Sequence, residues 1–322
     1  MSRLAFHTAS VLVLPLLASI VFFLHFLALC PHPASAAASN DSNADQRALL
    51  CLKYQLHDPS GALASWRNDS LAYCQWHGVT CGGKRHASRV VGLDLESENI
   101  IGNIFPCVSD LSFLARIHMP NNQLNGHISH EIGRLTRLQY LNLSMNSLSG
   151  EIPQTISSCS RLQTIDLYSN SLQGEIPPSL AQCSYLESII LSNNNLQGSI
   201  PPQLGLLPNL SALFLPSNDL TGNIPEFLGT SRYLKWVNLQ NNSLSGRIPP
   251  SLFNSTTLSY IDLSQNVLSG RIPPFSQASS SPLRHLSLTE NELSGEIPHS
   301  LGNLPSLSVL LLAHYSEEEK ES

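Results

Sequence analysis

The sequence predicts an α/β solenoid. A parallel β-sheet lines its concave face, short 3₁₀ or irregular segments lie on its convex face, and a helical, disulfide-bonded cap covers its N-terminal end. Three observations carry this expectation. An asparagine recurs at Asn122, Asn146, Asn170, Asn194, Asn218, Asn242, Asn266 and Asn291, at successive intervals of 24, 24, 24, 24, 24, 24 and 25 residues. Each sits in one string, read in a single turn as Leu138-x-x-Leu141-x-Leu143-x-x-Asn146-x-Leu148-x-Gly150-x-Ile152-Pro153. A cysteine- and tryptophan-bearing segment with an amphipathic start precedes the array. A fixed period of this size marks stacked units, none of which buries its apolar face alone.

Each position of the string has a physical task. Leu141-x-Leu143 alternates with period two, which predicts a short strand with leucines inward and intervening residues outward. The turn that follows strips backbone groups of partners. A buried asparagine has donors and acceptors to replace them, and successive asparagines stack into a ladder. The glycine of each turn (Gly126, Gly150, Gly174, Gly198, Gly222, Gly246, Gly270, Gly295) suits a backbone closed to bulkier residues. Ile-Pro then fixes an extended exit. The last third, such as Ile156 to Leu162, is short and 3₁₀-like or irregular.

Nine complete repeats start near Val90, Leu114, Leu138, Leu162, Leu186, Leu210, Leu234, Leu258 and Leu283, and with a partial tenth from Leu307 they fill residues 89–312. In the first, Glu98 stands where asparagine is expected. One extra residue enters in the Ser-rich stretch Phe275 to Pro282. In the tenth, Tyr315 replaces the asparagine, and residues 313–322 form an acidic tail.

Residues 1–36 read as an export signal: Arg3, an apolar run from Val11 to Leu29, and Ala34-Ser35-Ala36 before a cut after Ala36, or alternatively after Ala38. The run is also long enough to span a bilayer, so an uncleaved anchor is the alternative. The cysteines fit an oxidising compartment. Cys30 leaves with the signal. Cys74 and Cys81, in a short loop-rich segment, read as a disulfide. Cys159 and Cys183 fall at one place in successive repeats and read as buried thiols, while Cys51 and Cys107 remain without an assigned state. A zinc site from Cys74, His77, Cys81 and His86 is the alternative to the disulfide, although its spacing is not that of a zinc finger.

Only 12% of residues are charged and the net charge is −6. The tail contributes −3, and no basic field is available to hold nucleic acid or an anionic membrane. Polarity comes from Asn, Ser and Gln, which suits recognition by hydrogen bonds.

The outward strand positions form three parallel columns on the concave face. One runs Arg116, Tyr140, Thr164, Ser188, Ala212, Trp236, Tyr260, His285. The middle one runs His118, Asn142, Asp166, Ile190, Phe214, Asn238, Asp262, Ser287. The third includes Tyr168 and Gln240. Ile190, Phe214, Trp236 and Tyr260 predict an exposed apolar-aromatic patch, the mark of a binding surface; scattered surface hydrophobes without a partner are the alternative. The candidate ligand-binding residues are Arg116, His118, Tyr140, Tyr168, Ile190, Phe214, Trp236, Tyr260 and His285. Glycosylation sequons occur at Asn40, Asn68, Asn142, Asn209, Asn241 and Asn254. Asn40 is the weakest, close to the cleavage point. Asn142 and Asn241 would mask part of the concave face if occupied.

Catalytic and metal readings are poor. His127-x-x-His130-Glu131 has metal-ligand residue types but no third ligand placed nearby. Asp94, Asp166 and Asp262 are separated by whole repeats, so no carboxylate pair is implied. No cofactor is implied.

The consensus LxxLxLxxNxLxGxIP resembles the plant-type leucine-rich repeat. The segment before it strengthens the resemblance: Asp45-Gln46-Arg47-Ala48-Leu49-Leu50 opens a helix, Ser65-Trp66 follows, and Cys74-Gln75-Trp76-His77-Gly78-Val79-Thr80-Cys81 closes it. Residues 37–88 are similar to the cap that plant leucine-rich-repeat receptor kinases place before their first repeat, with Trp66 and Trp76 as packing anchors. The resemblance covers residues 44 to about 312 and implies a leucine-rich-repeat ectodomain, secreted or on the extracellular face of the plasma membrane. A peptide or protein ligand would lie on its concave face, with a co-receptor kinase and an immune or developmental signalling role. No Gly-rich phosphate loop, V-A-I-K, H-R-D or D-F-G occurs, so no kinase activity is expected of this chain. The paired-cysteine C-terminal cap of the family is also absent. The break after Ala313, in mid-repeat, leads to the expectation of a chain truncated before transmembrane and kinase regions, with membrane attachment only through that missing part. Two further readings stand beside the receptor: a secreted inhibitor of pathogen cell-wall-degrading enzymes, against which the missing C-terminal cysteines argue, and a truncated product without a role of its own.

Overall fold

The computed structural model describes residues 44–312, apart from 69–71, 84–87 and 277. The expected export signal 1–36 with Cys30, the Asn40 sequon, His86 and the acidic tail 313–322 lie outside the described residues. Among the described residues no helix is long and apolar enough to cross a membrane.

The period-two leucines form the predicted strands. The concave sheet has eleven strands in chain order: β1 (Val79–Cys81), β2 (Val90–Asp94), β3 (Arg116–His118), β4 (Tyr140–Asn142), β5 (Thr164–Asp166), β6 (Ser188–Ile190), β7 (Ala212–Phe214), β8 (Trp236–Asn238), β9 (Tyr260–Asp262), β10 (His285–Ser287) and β11 (Val309–Leu311). β1 comes from the cap and pairs antiparallel with β2; every later pairing is parallel and in register, so Trp236, Tyr260 and His285 are direct neighbours. The extra residue between Phe275 and Pro282 is absorbed outside the sheet. There Ala278–Ser280 forms a 3₁₀ turn and Phe275 stacks on Phe253 at 4.6 Å.

A second ladder was not expected from the sequence. Short strands just past the asparagines pair side by side on the flank of the solenoid. They form a six-stranded sheet from Leu56–His57 to Asn195–Gln197 and a four-stranded one from Thr221–Asn223 to Glu292–Leu293, bridged by Ser199 and Thr221. The repeat glycines from Gly126 to Gly295 lie within these strands, at their ends or up to two residues beyond, at φ of +74° to +95°, a conformation only glycine adopts readily. The residue before each ladder asparagine also has positive φ, for example Met145 at +54° and Gln265 at +56°. Each such non-glycine residue costs about 1 kcal/mol or more, and the asparagine bonds beside it offset that cost.

Those bonds explain the repeat. In Asn194, Oδ1 accepts from the Leu172 N–H at 3.0 Å, and Nδ2 donates to Leu167 O at 3.0 Å, Leu191 O at 3.1 Å and Ser192 O at 3.2 Å. Leu167 and Leu172 belong to the preceding repeat. Each asparagine therefore closes its own turn and sews it to its neighbour. In the degenerate first repeat Glu98 does a different job: its N–H donates to Asn122 and its carboxylate meets His77 of the cap at 2.6 Å.

The cap is built on α1 (Ala44–Gln55), whose Leu49 and Leu52 are fully buried. Trp66 and Trp76 stack with centroids 5.8 Å apart. The buried Asp45 carboxylate accepts from Arg89 Nε and Nη2 and from the Val90 N–H, tying the start of α1 to β2. Cys74 and Cys81 are bonded, which consumes both thiolates of the alternative zinc set. Cys51 on α1 is bonded to Cys107, at the start of the first convex 3₁₀ segment, a pairing the sequence reading missed. Their separation of 56 residues gives no local signal. Cys159 and Cys183 are buried free thiols.

Candidate ligand-binding face

The register of the parallel sheet assembles the expected columns. Cα partners run Arg116, Tyr140, Thr164, Ser188, Ala212, Trp236, Tyr260, His285 in one row and His118, Asn142, Asp166, Ile190, Phe214, Asn238, Asp262, Ser287 in the next. Near the N-terminal end the Arg116 guanidinium lies 4.1 Å over the Tyr140 ring, and His118 packs 5.8 Å from it. Toward the C-terminal end Tyr260 and His285 stack at 4.3 Å with planes 12° apart. Trp236 precedes them in the row, with Lys235 Nζ 5.8 Å from its ring.

The aromatic patch differs from the expectation. Trp236 is 40% exposed and Tyr168 36%, but Ile190, Phe214 and Tyr260 are half-buried. Strands about 4.8 Å apart place a neighbour on both sides of every outward side chain, so what an isolated strand would expose is partly covered. The face is a packed aromatic row with Trp236 as its most open ring.

The middle column needs a larger correction. Several of its residues turn one side-chain oxygen back onto their own strand. Asn142 Oδ1 accepts from the Ser144 N–H at 2.9 Å, Asp166 Oδ1 from Tyr168 at 3.1 Å, Asn238 Oδ1 from Gln240 at 3.0 Å and Asp262 Oδ1 from Ser264 at 3.0 Å. The pattern is an Asx turn. Asn142 is buried to 7% exposure. Asn209 and Asn241 are exposed, Asn254 is half-buried with Oδ1 accepting from Ser276, and Asn68 is exposed in the cap.

Burial sets the protonation of the face. Burial raises the Asp166 carboxyl above the ordinary carboxylate value, against the opposing pull of the Tyr168 N–H and of His118. Burial and the adjacent Asp262 raise the Tyr260 phenol, which stays protonated and donates to Asp262 Oδ2 at 3.4 Å. Asp94, Glu96 and His118 bring donor atoms within 4.8 Å of one another, the residue types a divalent cation takes. His118 Nε2 is already 3.0 Å from Glu96 Oε2. The sequence placed Asp94 and His118 at one repeat position, a whole repeat apart, and gave no signal for Glu96. Side by side in a parallel sheet, Asp94 and His118 are neighbours.

A further set of exposed side chains went unread. Tyr185 and Tyr233, 57% and 56% exposed, stand at equivalent positions on the rim below the face, with Asn209 midway between them in sequence. Tyr185 also borders a cleft of about 250 Å³ with Gln139, Arg161 and Gln163. The signal was the same 24-residue spacing, applied one position before the leucine that opens each repeat.

Residues 42–82 match the leucine rich repeat N-terminal domain, and residues 137–159, 161–183, 185–207, 233–255 and 282–304 match the Leucine Rich Repeat. Over 103 residues, covering 31% of this chain and 10% of the relative, the sequence is 39% identical to the LRR receptor-like serine/threonine-protein kinase EFR of Arabidopsis thaliana. The chain spans about a tenth of the length of the curated relatives it matches first. Among solved structures, the ectodomain of the receptor kinase GASSHO1/SCHENGEN3 from Arabidopsis thaliana, crystallised with CASPARIAN STRIP INTEGRITY FACTOR 2, superposes with a TM-score of 0.72 at 32% identity over 84% of this chain and 35% of that one. A plant ice-binding protein superposes with a TM-score of 0.75 at 31% identity over 85% of this chain and 87% of that one. Cap, repeat, asparagine ladder and structural neighbours agree: the chain carries a leucine rich repeat N-terminal domain followed by Leucine Rich Repeats, and it is similar to the ectodomains of plant receptor kinases.

Proposed function

We propose that the chain is an extracellular recognition module that takes a peptide or protein epitope along its concave face, in immune or developmental signalling. A co-receptor kinase supplies the phosphoryl transfer for which this sequence carries no motif. The observation that carries the reading is the in-register row Trp236, Tyr260, His285, with Phe214 and Ile190 beside it. It offers aromatic surface on strands held side by side by parallel pairing, flanked by side-chain amides such as Gln240 and Gln265, 3.1 Å apart. Aromatic anchors on a rigid platform lose little entropy on binding and dominate interface energy. The receptor ectodomain with a bound partner, superposing over most of this chain, supports the same use.

The test is a screen of synthetic secreted-type peptides against the secreted chain, with each hit titrated against Trp236→Ala. A hit that follows the reading weakens at least tenfold, the size of an anchor worth about 1.4 kcal/mol or more. Hits indifferent to Trp236→Ala, Tyr168→Ala and Phe214→Ala would sink the reading.

A second reading is ice adsorption on the flank sheet. The near full-length match in both directions to the plant ice-binding protein favours it, together with the exposed row Gln123, Ser147, Ser171, Asn195, Asp219, Ser243, polar throughout and interrupted by one carboxylate. Ice recrystallisation assays separate the two: inhibition abolished by bulky substitutions at Ser171 and Asn195, and untouched by Trp236→Ala, would favour the flank.

A further inference from the structure

Among the sequons, Asn209 has surroundings of an unusual kind. Its amide is exposed, and Nδ2, the atom that would carry a sugar, already donates to Ser184 O of the preceding repeat at 3.2 Å. That direction leads to Tyr185, and beyond Tyr185 lies the cleft of about 250 Å³ walled by Gln139, Arg161 and Gln163. The cleft runs between two columns of equivalent positions. Arg161 and Tyr185 belong to one, which Asn209 continues in the next repeat; Gln139 and Gln163 belong to the other, which the exposed Glu187 and then Ser211 continue. The first and third residues of the sequon thus extend the two walls of the cleft. Tyr233 stands on the far side of Asn209, one repeat on. With repeats about 4.8 Å apart, the asparagine has a half-exposed phenol ring on either side. The lining has the chemistry of a saccharide site: an aromatic face for the sugar's C–H surface, and two amides and a guanidinium for its hydroxyl and acetamido groups.

We propose that Asn209 carries an N-linked, N-acetylglucosamine-based glycan whose core lies on Tyr185 and runs into the cleft of Gln139, Arg161 and Gln163. The cleft would then be an intramolecular sugar subsite. In the modification, the Asn209 Nδ2–C1 bond of the first N-acetylglucosamine forms as the C1–O bond to the lipid pyrophosphate of a lipid-linked oligosaccharide donor breaks. Lipid pyrophosphate leaves, and one amide proton goes to solvent. The glycosylated amide keeps one N–H, enough to preserve its bond to Ser184 O and hold the sugar toward Tyr185. Asn142, buried to 7% exposure with its Oδ1 taken by the Ser144 N–H, lacks this open setting.

The proposal rests on the export reading, and the experiment separates the two. The full chain is expressed in a eukaryotic secretory host, and site-resolved glycopeptide mass spectrometry is run on secreted protein. The expected result is majority occupancy at Asn209 with Asn142 unmodified. A double-mutant cycle then tests the contact: Tyr185→Ala lowers Tm in the glycosylated chain by about 1–3 °C more than in the Asn209→Gln or Ser211→Ala background, where no glycan is attached. A secreted chain bare at Asn209, or strictly additive Tm effects in both backgrounds, overturns the proposal alone. A chain retained unglycosylated in the cytosol overturns the export reading with it.

Discussion

Replacing Asn194 with alanine is the sharpest test of what holds the solenoid together. The side chain makes four hydrogen bonds in a buried turn, and two of its partners, the Leu172 N–H and Leu167 C=O, belong to the neighbouring repeat. The seam is buried, with Asn194 8% exposed and Leu167 and Leu172 fully buried. A buried backbone group left unpaired costs about 1–3 kcal/mol, so orphaning the two inter-repeat partners predicts a loss of roughly 2–6 kcal/mol. Against a total of about 5–15 kcal/mol for an ordinary domain, that is enough to open the array at one point. The assay is urea denaturation of Asn194→Ala beside Asn195→Ala, an exposed neighbour on the flank strand expected to change stability by no more than about 0.5 kcal/mol. Hydrogen exchange at the Leu172 amide supplies the local readout. Because solenoids are sums of repeat and interface terms, a broadened or two-phase transition in Asn194→Ala is part of the expectation. A loss below about 1 kcal/mol, with Leu172 still protected, would refute the view that the ladder asparagine sews repeats together.

Other expectations follow from single features. Cys51→Ser removes a bridge enclosing a 56-residue separation; the loop-entropy relation gives a loss of roughly 4 kcal/mol, read as a lower urea midpoint and earlier proteolysis within α1. Asp166 has its pKa raised by burial, so its ionised form costs the fold. That cost is absent when the carboxyl is protonated in both states, well below about pH 4; it grows as pH rises from the unfolded value and is complete above the raised folded one. Asp166→Asn keeps the acceptor for the Tyr168 N–H, as Asn238 does for Gln240. It should therefore melt higher than wild type at pH 7 and level with it at pH 3; the reverse order would contradict the burial argument. Burial pushes the Cys159 and Cys183 thiols up to about 12 and about 11, so neither should alkylate at pH 8 in the folded chain, and both should once it is denatured.

The scaffold was readable because its determinants are local and periodic. The leucines at 141 and 143, Asn146, Gly150 and Pro153 each impose one backbone state, and repetition removes ambiguity. Long-range or context-dependent features were not readable. Cys51 and Cys107 are joined through the packing of α1 on the first repeat, which no spacing reveals. The Asx bonds of Asn142 and Asp262 depend on side chains turning back to their own strand, so positions that look outward in a period-two pattern are withdrawn from the face. Phe214 and Tyr260 lose exposure to neighbours that are adjacent only across the sheet. The rim pair Tyr185 and Tyr233 was available to the same periodic reading, one position before the repeat's first leucine.

The central claim is that recognition lies on the concave aromatic row. Hydroxyl-radical footprinting of the secreted chain, with and without a peptide that binds it, tests this directly. The account predicts protection at Trp236, Tyr260 and Phe214, with Tyr54 on the cap and Val267 on the flank sheet unchanged. Protection confined to the flank or the cap, with Trp236 as reactive as in the free chain, would contradict it.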